Sequence, residues 1–258
     1  MKKFVVYPYK LGSQSAKILA KGLNTLRIRP DGNYKYRLSH IVINWGNSHA
    51  PQWNRPGMKV LNHWSKIQVS VNKLNSLNKL KENNVSTPEF TTDISVAKKW
   101  SNEGNVVMCR RILTGHSGAG IVVAQKAAEL VNAPLYTKYV KRKAEYRIVI
   151  FNGEIIDACQ KKRKTDFEGE VNNFVRCNHN GYVYAYENIT VPNVVKTEAL
   201  KAIKALGLDF GSVDVAYNEK ANKAYVFECN SSAGFSSNKS PAFQKYLNAF
   251  KNYLSQNI

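Results

Sequence analysis

The sequence predicts an α+β chain, with a small α/β lobe at the N-terminus followed by two α+β subdomains. Three observations carry that expectation. Apolar strands such as "HIVINW" (His40 to Trp45) alternate with helix-period segments over the first sixty or so residues. Asn152-Gly153 stands between two β-rich runs, and this dipeptide favours the left-handed backbone of a two-residue hairpin. Near the C-terminus a helical segment closed by Gly207 leads into a second hairpin, Ser212 to Tyr217 and Ala224 to Glu228. The boundaries drawn from these shifts are 1–64 for the N-terminal lobe, 65–134 for the first subdomain and 135–258 for the second.

In order along the chain, Phe4 to Tyr7 reads as a short strand and Ser13 to Lys21 as a helix. Turn residues Pro30-Asp31-Gly32-Asn33 and the Pro/Gly/Asn-rich stretch Gly46 to Gly57 flank the His40 strand. Ser65 is placed to cap one continuous helix whose apolar positions Ile67, Val71, Leu74, Leu77 and Leu80 follow helical spacing, ended by Asn83-Asn84. A second helix runs from about Asp93 to Trp100 and stops at Gly104. Strands are expected at 105–112, 121–125 and 135–140, then at Tyr146 to Phe151 and Ile155 to Cys159 about the Asn-Gly turn. The basic run Lys161-Lys162-Arg163-Lys164 comes directly after. Pro192 opens a helix with Val195, Ala199, Ala202, Ile203 and Leu206 on one face, and a last helix covers Ala242 to Leu254.

Composition narrows the class. Hydrophobic residues make up 43% of the 258, which suits a packed core and excludes a disordered chain. No run of eighteen apolar residues occurs and Met1 to Pro8 lacks a signal-peptide core, so the expectation is a cytoplasmic protein without membrane insertion. Cys109, Cys159, Cys177 and Cys229 are widely spaced, without the CxxC spacing of zinc sites, and read as reduced packing thiols. Lys plus Arg number 38 against 18 acidic residues, a formal charge of +20. Such a field draws polyanions: nucleotides, nucleic acid, acidic peptides or anionic membranes.

The chemistry gathers in the last hairpin. With partners summing to 442 about Ala221, Asp214 lies across from Glu228, and Asn230 shares the Glu228 face. Opposed carboxylates repel unless a cation joins them. Two carboxylates and an amide are hard oxygen ligands, suited to Mg²⁺ carried in with substrate phosphates. "LTGHSGAGI" (Leu113 to Ile121) sets three glycines between two strands, where backbone N–H groups close on an anion. Arg110 and Arg111 end the strand before it, and alternation lets only one face the loop. With Phe151 opposite Glu154, one face of the Asn-Gly hairpin carries Glu145, Arg147, Gln160 and Lys162.

These residues resemble the ATP-grasp superfamily, most closely RimK-like amino-acid ligases and short phage-encoded ATP-grasp proteins. The resemblance runs from about Ser65 to Phe235 and rests on "LGLDFGSVDVAY", "AYVFECNSSAGF" and "EYRIVIFNGEIIDACQKK". It implies that two α+β subdomains grip ATP behind the short N-terminal lobe. By the same resemblance Asp214, Glu228 and Asn230 match the Mg²⁺ ligands, for two ions, with Mn²⁺ as a substitute. Arg147 looks like the arginine that meets the transferred phosphate, with Lys161 or Lys162 at the basic position closing the hairpin; the face argument favours Lys162. Arg176 and Asn178 in "VRCNHNG" resemble an Arg-x-Asn pair beside the reacting carboxylate. Lys73 matches a nucleotide-contacting lysine, Arg110 or Arg111 a phosphate-binding lysine, and Gly115, His116, Ser117, Gly118 and Gly120 the flexible loop over the phosphates. Lys138, Tyr139 and Val140 look like the hinge that holds adenine. The chain departs from the pattern at Thr137-Lys138, where the family carries Gln-Glu, and at Ala233, where it carries proline.

The function this resemblance implies is that of an ATP-dependent carboxylate–amine ligase working through an acyl phosphate. The charge excess points to a large anionic acceptor, an acidic protein or nucleic acid. Two other classes compete: a nucleic-acid-binding protein on the same scaffold, using Tyr182, Tyr184 and Tyr186 to stack bases, and an ATP-dependent phosphotransferase. Retention of Asp214, Glu228 and Asn230 favours an enzyme.

Overall fold

The computed structural model describes residues 2–29, 31–115, 118–235 and 239–256. Its first lobe is a four-stranded parallel sheet in the order β2-β1-β3-β4, made of β1 (Lys3–Pro8), β2 (Leu26–Arg27), β3 (His40–Trp45) and β4 (Lys59–Leu61). Helix α1 (Gln14–Gly22) comes after β1 and is capped by Ser13, whose side chain accepts from the Ala16 N–H. The strands are apolar on both faces, as a parallel sheet covered on two sides requires.

The single helix expected over 65–82 is two. Helix α2 (Trp64–Val71) stops at Asn72, whose backbone is extended and whose side chain accepts from the N–H groups of Leu74 and Asn75, starting α3 (Lys73–Glu82). The apolar spacing runs through the break, so periodicity alone hides it. The cap of α2 is His63, not Ser65.

Next comes a four-stranded antiparallel sheet ordered β5-β8-β6-β7, from β5 (Phe90–Thr91), β6 (Val107–Arg110), β7 (Ile121–Ala124) and β8 (Leu135–Lys138). Helix α4 (Ile94–Asn102), capped by Asp93, covers one face. The boundary drawn at residue 135 passes ahead of β8, which is an inner strand of this sheet.

The third sheet is the largest: β9 (Ala144–Phe151), β10 (Glu154–Arg163), β11 (Tyr182–Ala185), β12 (Phe210–Asn218) and β13 (Lys223–Asn230), ordered β11-β10-β9-β12-β13. The Asn152-Gly153 turn takes positive φ at both residues, 49° and 81°, and joins β9 to β10 as the dipeptide predicts. Helix α5 (Asn193–Leu206) ends at Gly207 in the left-handed conformation, and α6 (Pro241–Gln256) closes the chain.

Alternation on β9 divides the molecule. Ala144, Tyr146, Ile148 and Ile150 pack with α5, α2 and α3, whereas Val149 and Phe151 join Phe4, Trp45 and the aromatic side of α6. Trp45 stacks on Phe210 at 5.5 Å, which binds the first lobe to the large sheet. Asn62, at φ 57°, adds a polar clasp: its N–H donates to Asp209 Oδ2, its Nδ2 to the Phe210 carbonyl at 2.8 Å, and its Oδ1 accepts from the Asp209 and Phe210 N–H groups. What remains of the β9 face, Glu145 and Arg147, looks into a cleft. Among the described residues no helix is long and apolar enough to cross a membrane.

Candidate nucleotide cleft

The three sheets surround a cleft of about 1020 Å³. Its floor is the large sheet, and β-bulges decide which side chains reach it. The β12–β13 turn pairs Asn218 with Lys223, one residue out of the symmetry expected about Ala221. A bulge between Asp214 and Val215 in the pairing adds the missing residue on β13, so Asp214 still faces Glu228. The bulge also lets Phe227 and Glu228 both line the cleft, while Val226 and Cys229 go to the opposite core.

A second bulge, between Ile155 and Asp157, overturns the face assigned to the other hairpin. Beyond it Cys159 pairs with Arg147 and Gln160 with Tyr146, so odd positions of β10 share the cleft face. Lys161 is therefore in the cleft and Lys162 is not; the Lys162 ammonium donates to the Asn188 carbonyl at 3.4 Å. One extra residue reverses parity for the rest of a strand, and nothing in the composition of "GEIIDACQKK" marks it. The strand also extends through Arg163, absorbing three residues of the basic run expected after it.

Five side chains form a buried chain of alternating charge. Arg142 Nε donates to Glu145 at 3.0 Å, and Glu145 accepts from Lys161 on its other oxygen. Lys161 Nζ also reaches Asp214 Oδ2 at 3.3 Å. Arg147 grips Asp214 with two bonds, Nε to Oδ1 at 2.7 Å and Nη2 to Oδ2 at 2.9 Å. Burial by itself would raise the Asp214 carboxyl, but the two cations outweigh it and hold it at about 2. Burial likewise opposes the charges of Arg147 and Lys161, and Asp214 overrides it, raising both. In the sequence Glu145 reads only as a charged strand residue; its pairing with Lys161 depends on the bulge, whereas Arg142 stands three residues before it.

Lys73 opens α3 against Glu228. Its ammonium donates to the Gly115 carbonyl at 2.5 Å and lies 3.8 Å from Glu228 Oε2, while burial lowers it despite the Glu228 charge. Asn230 Nδ2 donates to Glu228 Oε1 at 3.2 Å. Arg110 turns into the cleft beside Thr137, with burial lowering it and Glu228 opposing that, whereas Arg111 is exposed outside. Gly115 and Gly118 line the cleft; Gly118 sits at φ 79°, where a Cβ would stand 2.4 Å from Val175. The Gly120 carbonyl accepts from the Arg111 N–H. His116 and Ser117 lie outside the described residues.

At one end Lys138, Tyr139 and Val140 run past the cleft, with Lys138 paired to Glu89 at 2.9 Å over the Trp100 ring and Tyr139 against Phe174. On the same side Arg176 donates to the carbonyls of Lys143 and Arg142 and lies over the Tyr182 ring, with its Nε buried and unpartnered. Asn178, exposed at the rim, accepts from Lys164 at 3.3 Å.

No protein-family model and no curated protein sequence matches the chain. Solved structures do. A D-alanine–D-alanine ligase from Bacillus anthracis superposes with TM-score 0.66 at 14% identity, covering 97% of this chain and 93% of that one. The ligase PsnB, solved with a minimal precursor, Mg and ADP, gives TM-score 0.70 at 15% identity over 96% of both chains. The chain has the ATP-grasp fold.

A macrocyclase of that fold, MdnC from Microcystis aeruginosa bound to the precursor peptide MdnA, gives TM-score 0.65 at 12% identity, covering 98% of this chain and 99% of that one. Coverage this complete takes in the first lobe as well, which the sequence resemblance left out. Within the ATP-grasp frame Lys73, Arg110, Arg147, Lys161, Arg176, Asp214, Glu228 and Asn230 meet in one cleft, and Lys162 and Arg111 stand outside it. Among the described residues no group of three or more His, Cys, Asp or Glu forms a metal cluster. The local donors are two carboxylates and an amide, with the Cys229 thiol turned to the core. That oxygen set fits a hard divalent cation shared with phosphate oxygens.

Proposed function

We propose that this chain is an ATP-dependent carboxylate–amine ligase that yields ADP. The observation that carries the reading is the Arg147–Asp214–Lys161 cluster facing Glu228 and Asn230 in the cleft of an ATP-grasp fold. Cations locked by buried hydrogen bonds reorganise little as charge develops, so they stabilise a phosphoryl group in transit more than water does.

In this reading ATP lies between the small and large antiparallel sheets. Lys138 to Val140 border the base, and Lys73 and Arg110 meet the phosphates. A carboxylate oxygen attacks the γ-phosphorus, the bond to the β-phosphate oxygen breaks, and ADP leaves with that electron pair. Arg147 and Lys161 face the phosphoryl oxygens, and Arg176 the carboxylate beyond them. An amine nitrogen then attacks the acyl carbon, the carbon–oxygen bond to phosphate breaks, and an amide, inorganic phosphate and a proton result.

Glu228 and Asn230 would hold Mg²⁺; Asp214 Oδ1, which accepts one bond from Arg147, keeps a lone pair through which it would join. The ion supplies charge neutralisation of the phosphates and orients them.

The test is hydroxylamine trapping with ATP, Mg²⁺ and a panel of carboxylates, scoring ADP and hydroxamate together. Hydroxamate in step with ADP supports the ligase. ADP without hydroxamate sinks it and leaves a phosphotransferase.

A further inference from the structure

The large sheet ends on an open edge beside the phosphate end of the cleft. β11 pairs with β10 on one side and, among the described residues, with no strand on the other. Two hydrogen bonds settle which backbone groups look outward. Lys164 N–H donates to the Gly181 carbonyl at 2.9 Å across the ladder, whereas Tyr182 N–H donates away from β10, to the Cys177 carbonyl at 3.1 Å. Bonded and non-bonded pairs alternate in an antiparallel ladder. Lys162 and Val183 are then a bonded pair, Lys161 and Tyr184 a non-bonded one, and the N–H and C=O of Tyr184 point to the open edge. Tyr184 is 38% exposed there, between Val183 and Tyr186, which are also exposed. Its ring reaches back into the cleft and lies over the Arg147 guanidinium at 4.6 Å.

Charge selects the partner. Eight Lys and Arg side chains line the cleft against three carboxylates. Each carboxylate already faces a cation: Glu145 with Arg142 at 3.0 Å, Asp214 with Arg147 at 2.7 Å, and Glu228 with Lys73 at 3.8 Å. Among the described residues that line the cleft there is no further carboxylate. A free amino acid would bring an α-ammonium into this basic cleft with nothing to pair it, and an unpaired buried charge is costly. A carboxylate carried on a peptide chain brings no such group.

We infer that β11 is the docking strand for an extended acidic peptide, which adds to the sheet through Tyr184 and turns an Asp or Glu side chain toward Arg147. This rests on the ligase reading and names its carboxylate substrate. Strands sit about 4.8 Å apart and their side chains alternate between faces, so every second side chain of the added strand joins the Tyr184 face. The others fall on the Val183 face, where Lys162 lies across the ladder. Lys162, outside the cleft, thus meets the same acidic segment from behind. A nucleic acid strand could use the charges, and a phosphate could accept from the outward amide, but its backbone carries no N–H to pair with the carbonyl of the same residue.

The probe is a fluorescein-labelled, N-acetylated and C-amidated nonapeptide of alternating Glu and Thr. Its binding to the full chain is read by anisotropy, beside two versions N-methylated at all odd or all even residues. The unmodified peptide should bind, and at least one methylated version should bind at least tenfold more weakly. Equal binding by all three overturns the docking strand, as does binding of labelled single-stranded DNA where the peptide shows none. Tyr184→Pro, which deletes the outward donor, should give the same loss; the methylated peptides decide the matter should that variant not fold. In the hydroxamate assay free L-glutamate should show kcat/KM at least tenfold below the peptide, and equality overturns the substrate class. Peptide binding with no ADP released on any carboxylate would leave the docking strand standing and sink the ligase reading alone.

Discussion

Arg147 and Asp214 lie on adjacent strands and are joined by two hydrogen bonds, 2.7 and 2.9 Å, with the carboxylate only 4% exposed. This pair orients the guanidinium that faces the cleft, and Lys161 leans on the same carboxylate. Arg147 and Asp214 are one unit, so removing the acid is felt through the base.

Asp214→Asn should therefore destabilise the fold by about 3–5 kcal/mol, because in a buried site Arg147 loses its carboxylate partner and Lys161 keeps only Glu145. A denaturant titration measures it. A loss under about 1 kcal/mol would mean that the cations find water instead.

The same carboxylate should shape the acid limb of stability. Its pKa in the fold, about 2, lies below its ordinary 3.8, so its contribution is fully present above pH 4 and is lost as pH falls through 2. The wild type should lose on the order of 2 kcal/mol across that window beyond what Asp214→Asn loses. Parallel acid limbs in the two proteins would contradict the pairing.

Lys161 and Lys162 separate two registers of one strand. Lys161→Met should lower kcat for ADP formation by about 10²–10³, the range for removing one charge-stabilising donor. Lys162→Met should leave ADP formation on a small carboxylate within about twofold. A reversal would place the bulge at Ile156 in error.

Glu228→Gln should weaken ATP binding in the presence of Mg²⁺ by about ten- to a hundredfold while changing binding without Mg²⁺ far less. Calorimetric titration of both proteins, with and without the ion, reads the difference. Equal losses in both conditions would make Glu228 a partner of Lys73 only.

Asn62→Ala tests what holds the first lobe on the large sheet. It removes a buried clasp to Asp209 and Phe210 and leaves alanine at φ 57°, for a cost of about 2–4 kcal/mol. Thermal melting should drop by several degrees; an unchanged midpoint would show that the Trp45–Phe210 stack suffices.

Much of the architecture was legible because it is locally encoded. His40 to Trp45 form the expected strand to the residue, Asn152-Gly153 turn as their conformational freedom dictates, and Gly207 ends α5. The N-terminal edge of α3 was not, because the amide of Asn72 caps a helix inside an unbroken apolar pattern. Asp214 opposite Glu228 was reached from a symmetric turn that the hairpin does not have, and the β13 bulge restored the pairing.

By itself the sequence determined the longer strands and the Asn152-Gly153 turn, the strongly basic balance and the presence of two carboxylates and an amide in one hairpin, since each depends on neighbours a few residues apart. Only the tertiary structure decided that Lys161 rather than Lys162 meets Asp214, that Glu145 and Arg142 belong to the same charged chain, and that no strand among the described residues covers the edge beside Tyr184. The physical reason is that a side chain's face depends on every residue inserted between it and the turn. A bulge adds such a residue where cross-strand packing favours it, without leaving a signature in composition.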